Sequence, residues 1–299
     1  MQFLYFLEGI RNPILTVIME IFRYFGEEMV LLGLLSVLLL CIDKKTAYNI
    51  GFTFFLSSSL VNMIKINARV ERPWVRDPNL KPLESALDTA TGYSFPSAHS
   101  QTAASVYGTF ACHFKKNWAK VICCIIFLLV GLSRMYAGVH TPADVCCGFL
   151  IALIVLFLEQ KFIRPLIDRE DPAPAACAVV AFLAVLCVIF VAVLVSKGVL
   201  PTDKASDTVK TAAAAISFAI AYYADMRWIH FSTAGTTLQR VMRVILDIGI
   251  ALLIRAVLKL LFSSLGLTGD FLRYLIMTLW ALCLYPYLSM KYRLQKGLL

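Results

Sequence analysis

Apolar runs approaching the length of a bilayer crossing recur along the whole chain, broken by short polar interruptions. They fall at about 29–42, 47–65, 99–114, 119–138, 144–163, 175–196, 208–225, 241–263 and 271–290, against the roughly 20 residues that one helical crossing needs. Ala176–Ser196 (ACAVVAFLAVLCVIFVAVLVS) carries no charge at all. The pattern predicts an all-α fold, a polytopic membrane helix bundle of about nine or ten membrane helices. The uncertain member is Met1–Arg23, which is apolar but contains Glu8, Arg11, Glu20 and Arg23; it is expected to be a poor span or a helix lying in the interface. It lacks the basic start and small-residue cleavage site of a signal peptide. Charge and three prolines at Arg164–Pro174 (RPLIDREDPAP) mark a boundary between a motif-bearing region, 1–165, and a hydrophobic remainder of four spans, 175–299.

Composition supports the membrane reading and removes others. Hydrophobic residues make up 60% of the chain, more than the polar faces of a soluble fold would leave room for. The nine cysteines lie in or beside apolar runs without CxxC pairs, so they read as apolar fillers, with neither disulfide nor metal site expected. A net charge of +9 suggests nucleic acid only until the basic residues are located, and they sit in short loops between spans. No nucleic-acid partner is expected. Lys44 and Lys45, then Lys115, Lys116 and Lys120, then Lys161, Arg164 and Arg169, then Arg227 and Arg240, and the tail Lys291, Arg293 and Lys296 all fall on one side when spans are counted from residue 29. The positive-inside rule makes that side and the C-terminus cytoplasmic. Loops 198–207 and 264–270 on the other side are nearly free of Lys and Arg.

Three polar clusters interrupt the apolar chain: Lys65 with Arg72-Pro73; Pro96-Ser97-Ala98-His99; and Ser133-Arg134 followed by His140 and Asp144. The span order carries all three to one membrane surface, the outward one. Lys65, Arg72 and Arg134 can neutralise phosphoryl oxygens, the planar arginine fork matching their geometry. Asp144, four residues after His140, can hold that imidazole in one tautomer and leave the other nitrogen free to attack phosphorus. His99 can protonate the departing oxygen, while the amides of Ser97, Ala98 and His99 open a helix N-terminus toward an anion.

These intervals resemble the type 2 phosphatidic acid phosphatase and haloperoxidase superfamily: Lys65, six residues, Arg72-Pro73; Pro96-Ser97-Ala98-His99; Ser133-Arg134, five residues, His140, three residues, Asp144. Ala98 stands where that family usually has glycine and is expected to crowd the phosphate. The resemblance covers 1–165 as a six-helix phosphatase core and leaves 175–299 as a C-terminal four-helix membrane extension without an assigned role. It implies that His140 becomes phosphorylated, that Asp144 orients it, and that His99 serves the leaving group and then water. It further implies that Lys65, Arg72, Ser97, Ala98, Ser133 and Arg134 hold the phosphate, with no cofactor and no metal. Relatives of similar architecture include sphingosine-phosphate phosphatases and glucose-6-phosphatases.

The expected function is a metal-independent lipid phosphatase acting on phosphatidate, phosphatidylglycerophosphate, a sphingoid phosphate or a polyprenyl diphosphate, in contact with membrane lipids. The alternatives are a lipid-linked phosphotransferase using the same site, or a phosphate-lipid transporter or scramblase. A bacterial plasma membrane is the expected location, with the active site extracytoplasmic. His113 and His230 read as residues without chemistry, and Trp74 as an interface anchor or the border of a lipid entrance. Arg69 and Arg76 would pair with Glu71 and Asp77 or steer an anionic headgroup. Asp247, Arg255 and Lys259 share one face of the 241–263 span; the simplest account is an intramembrane ion pair with Lys259 near the outer surface. The small residues Ala212–Ala215 would serve close packing against a neighbouring helix or a homodimer contact through the C-terminal helices.

Overall fold

The computed structural model describes residues 1–295, and every regular element among them is helical. The principal helices are α1 (Gln2–Gly9), α2 (Pro13–Tyr24), α3 (Glu28–Val37), α4 (Lys44–Ala68), α5 (Ala98–His113), α6 (Asn117–Tyr136), α7 (Pro142–Leu158), α8 (Pro174–Ser196), α9 (Thr202–Ala224), α10 (Thr237–Leu261), α11 (Gly266–Leu279) and α12 (Tyr285–Gln295). Lys296 of the basic tail lies outside the described residues. Four stretches are long and apolar enough to cross a membrane: Asn117–Tyr136, Pro142–Asp168, Pro174–Ser196 and Ser263–Tyr292. Pro13–Tyr24 and Glu28–Ile42, bent by 55° against each other, would make a fifth if they form one broken span. Met1–Arg23 is thus not one helix but two, of 8 and 12 residues, about 12 and 18 Å long and each short of the roughly 30 Å hydrocarbon core.

Among the expected spans with a more polar composition are α4 and α5, which lie inside the bundle. α4 is buried over most of its length, packed against α5, α7, α8 and α9, and between α4 and α5 runs a ladder of hydroxyls and amides. Gln101 donates to Ser57 Oγ at 2.7 Å and to Ser105 Oγ at 3.1 Å, and the Ser57 and Ser105 hydroxyls are 3.0 Å apart. At the far end Asn49 bonds His113, whose other ring nitrogen meets the Thr109 carbonyl, so His113 is structural. Such interhelical bonds add about 0.6 kcal/mol each in a bilayer, and they fix the register of the helices that carry the first two clusters.

The C-terminal region is built differently. Phe218 and Tyr222 of α9 pack edge-on against Phe52 of α4, with ring centroids 5.0 and 4.9 Å apart. A Cβ at Gly51 would come within 2.2 Å of the Phe218 ring, so only glycine admits this approach. Ala212–Ala215 are buried where α9 packs on α4, α8 and α11, which assigns the small residues to packing within the chain. The expected intramembrane ion pair within the Asp247, Arg255 and Lys259 face does not form among the described residues. Twelve helical residues put Asp247 and Lys259 about 18 Å apart; Asp247 is fully buried, Lys259 is exposed, and Arg255 reaches Met29 Sδ at 3.7 Å. Nor do Arg69 and Arg76 form ion pairs among the described residues; Asp77 instead accepts the Tyr5 hydroxyl at 2.7 Å.

Candidate active site

The site is assembled where the end of α4, the 69–97 loop, the start of α5 and the α6–α7 turn meet. The α6–α7 turn is set by local sequence. Thr141-Pro142-Ala143-Asp144 forms a capping box with proline at the first helical position: the Thr141 hydroxyl accepts from the Asp144 amide at 3.3 Å, and Asp144 Oδ2 accepts from the Thr141 amide at 2.7 Å. The cap aims Oδ2 back at the preceding loop, where it lies 3.5 Å from His140 Nδ1 and also accepts the Ser94 hydroxyl at 2.6 Å. Gly148, one turn on, lets α7 press against the Ser97 carbonyl, which a Cβ would meet at 2.5 Å. This close contact brings the His140 and His99 segments together.

His140 Nε2 lies 2.8 Å from an Arg72 guanidinium nitrogen. Arginine can only donate, so Nε2 is the accepting, unprotonated nitrogen and Nδ1 carries the proton on the Asp144 side. Burial, then the neighbouring Arg72 charge, push the His140 imidazole well below its ordinary range. Arg72 is itself held by backbone. It donates to the carbonyls of Gly92 (3.3 Å), Thr91 (2.5 Å) and Val139 (3.1 Å), with the Trp74 ring 5.9 Å from its guanidinium carbon. Burial draws it down to about 10, so it stays cationic at neutral pH. Trp74 thereby supports Arg72 while packing on Ala86, Ala137 and Val139.

Lys65 donates to the Tyr93 carbonyl at 3.2 Å. Arg134 is 0% exposed, and among the described residues none of its three guanidinium nitrogens has a hydrogen-bond partner. His99 Nε2 is likewise buried without a partner among the described residues. Lys65, Arg72, Ala98, His99 and His140 line one cavity of about 190 Å³. The remaining expected residues stand behind this wall. Ser97 caps α5, its hydroxyl accepting from the Ser100 amide at 3.4 Å. Its own amide is bonded to the Asp144 carbonyl at 2.9 Å, so of the three amides expected to face an anion only those of Ala98 and His99 remain. The Ser133 hydroxyl donates to the Val130 carbonyl at 2.7 Å, back along its own helix. Among the described residues no group of three His, Cys, Asp or Glu side chains could hold a metal ion.

The sequence reading missed four kinds of contributor. The Thr91, Gly92 and Tyr93 carbonyls act through backbone and leave no residue-type signal. Ser94 lies just before the second cluster without a spacing that marks it. Glu27 and Thr89 border the cavity and join Arg23, which bonds Glu20, Glu27 and Thr89 at 2.9, 2.8 and 3.2 Å. Lys204, Asp207 and Thr208 come from α9, in the region to which no role was given.

Fold and site define an integral membrane helix bundle with a buried pair of histidines in a cradle of cations. Residues 46–168 match the model of the PAP2 superfamily, and residues 209–297 match that of the PAP2 superfamily phosphatase transmembrane extension. The chain belongs to the PAP2 superfamily. It is 34% identical over 103 residues to the phosphatidylglycerophosphatase B of Bacillus subtilis (strain 168), covering 31% of this chain and 50% of that protein. It is 29% identical over 153 residues to the undecaprenyl-diphosphatase of Sulfolobus acidocaldarius, covering 50% and 72%. The crystal structure of Aquifex aeolicus LpxE is 28% identical, with a TM-score of 0.48 over 54% of this chain and 94% of that one. The chain therefore spans about half the length of the Bacillus relative.

Proposed function

We propose that this protein is an integral membrane lipid phosphatase that cleaves a phosphate monoester or diphosphate through a phosphohistidine at His140, without a metal. His140 Nε2 attacks phosphorus, the bond from phosphorus to the leaving oxygen breaks (the ester oxygen of a monoester, the bridging oxygen of a diphosphate), and His99 supplies a proton to that oxygen. Water, deprotonated by His99, then attacks phosphorus and the phosphorus–nitrogen bond breaks, releasing inorganic phosphate and the free imidazole. Asp144 holds the Nδ1 proton and stabilises the ring as it gains charge. Lys65, Arg72 and Arg134 take the three non-bridging oxygens, with the Ala98 and His99 amides beside them.

The observation that carries this reading is Arg134. A guanidinium removed from water without a hydrogen-bond partner among the described residues costs several kcal/mol, and an incoming phosphoryl group would remove that cost. A pure binding protein would have the same need for cations but none for His140, whose Nδ1 faces Asp144 at 3.5 Å and whose unprotonated Nε2 accepts from Arg72. Candidate substrates are phosphatidate, phosphatidylglycerophosphate, a sphingoid phosphate and a polyprenyl diphosphate. We propose further that the site faces the extracytoplasmic side of a bacterial plasma membrane with the C-terminus in the cytoplasm, an orientation that the distribution of basic loops supports. A homodimer through the C-terminal helices would use the exposed apolar face of α8, with Val179, Phe182 and Ile189, rather than Ala212–Ala215.

The test is phosphate release from a panel of lipid phosphates and diphosphates by detergent-purified protein, with and without EDTA, beside His140→Ala. Release that survives EDTA and disappears in the variant is the expected result. No release from any substrate, or an equally active variant, would overturn the proposal.

A further inference from the structure

Three cations line the cavity, Lys65, Arg72 and Lys204. In the proposed inner site Lys65 and Arg72, with Arg134 buried behind the wall, take the three non-bridging oxygens, which leaves Lys204, near the start of α9, as a cavity cation without a role there. Lys204 falls in the 198–207 stretch, read from the sequence as a loop and folded here into the first turn of α9, on the side of the membrane otherwise poor in basic residues outside the clusters, so topology gives no reason for it. It is half-buried, and its ammonium lies 5.6 Å from the Tyr93 ring centroid, above the residue whose carbonyl holds Lys65. Its backbone carbonyl and the Lys65 side chain both come within 3.9 Å of the point where a Cβ on Gly92 would sit, so the two lysines flank one loop residue. Three acids share the cavity, and two of them are engaged with other groups: Asp207 accepts the Thr91 hydroxyl and lies 3.6 Å from the Lys210 ammonium, and Glu27 is bonded to Arg23 at 2.8 Å. Glu28 lines this cavity and also an adjoining cleft with Lys210 and Thr211. Lys204 itself forms no ion pair among the described residues.

We propose that Lys204 forms an outer anion subsite for a second phosphate, so that lipids bearing two phosphates in the headgroup bind in preference to simple monoesters. The inference rests on the reading of the inner site as a phosphate site and names the substrate class that the extension selects. An ammonium on a flexible stem suits this task, because it meets a phosphate as a point charge at variable distance. The second phosphate could adjoin the scissile one, as in a polyprenyl diphosphate, or be separated by glycerol, as in phosphatidylglycerophosphate. The inner cations are common to all lipid phosphates; the outer one discriminates. Asp207 links the two levels, since its partner Thr91 also offers a carbonyl to Arg72.

The test measures binding in full-length His140→Ala protein in detergent, where turnover cannot interfere. Farnesyl diphosphate and farnesyl monophosphate form one pair of ligands, short-chain phosphatidylglycerophosphate and phosphatidate the other. The parent should bind at least one two-phosphate lipid about tenfold more tightly than its monophosphate counterpart, and which pair shows the difference identifies the spacing. Adding Lys204→Met should abolish the preference while leaving monophosphate binding within about twofold, and Lys204→Arg should restore it at an unchanged melting temperature. Equal affinities in the parent, a preference that survives Lys204→Met, or an equal loss on all four lipids would overturn the proposal. If the preference is found but the wild type releases no phosphate, the outer subsite stands and the hydrolase reading alone falls.

Discussion

Arg134 and Asp247 are each fully buried, and neither forms an ion pair among the described residues, yet they sit in very different company. Around Arg134, four separate stretches of chain deliver Lys65, Arg72, His99 and His140 to one cavity, and a network of carbonyls and a capping box holds them there. Asp247 lies in α10 without a cation facing it. A single buried charge is a local cost; several that converge on an unfilled volume are a binding site. The N-terminal region buries charge where a ligand can reach it, and the C-terminal region mostly buries alanine and aromatic rings.

The comparison breaks most sharply at His140. His140→Ala should lower phosphate release at least ~10⁴-fold, the scale expected for loss of a nucleophile, measured on protein with an unchanged melting temperature. Arg134→Met should reduce kcat by ~10²–10³-fold and yet raise the melting temperature of the ligand-free protein, because an uncompensated buried charge is replaced by an apolar side chain of similar length. Loss of both activity and stability in that variant would mean that Arg134 has a structural partner. Ser94→Ala removes one bond to the Asp144 carboxylate and should cost roughly tenfold in kcat, read by steady-state kinetics. The acidic limb of the kcat/KM profile should lie below pH 6.5: burial and Arg72 hold the His140 pKa below its usual value, so the attacking nitrogen stays unprotonated as pH falls until that lowered pKa is crossed. Asp247→Asn completes the contrast with a change in kcat of less than about twofold, since no part of Asp247 borders the cavity.

Much of this was legible in the chain before folding. Each apolar run became a helix because twenty apolar residues in lipid have few other ways to satisfy their backbone, and the motif intervals marked Lys65, Arg72, His99, Arg134, His140 and Asp144. What was not legible acts through backbone or across long separations. The Thr91–Tyr93 carbonyls that grip Arg72 and Lys65 have no side-chain signature. The amide of Ser97 looked free for an anion until α7 brought the Asp144 carbonyl to it. Asp247 and Lys259 share a helical face, but face alone ignores the rise along the axis, and the rise keeps them apart. Lys204 drew no attention in a stretch nearly free of Lys and Arg, and only folding showed what it stands beside.

The central claim is a phosphate covalently held on His140, and an acid-free quench of the purified protein during turnover of a ³²P-labelled lipid phosphate tests it most directly. The account predicts label on the peptide containing His140, stable to alkali, lost in acid, and absent from His140→Ala. Steady phosphate release with no label on the protein, or label retained by the variant, would contradict it.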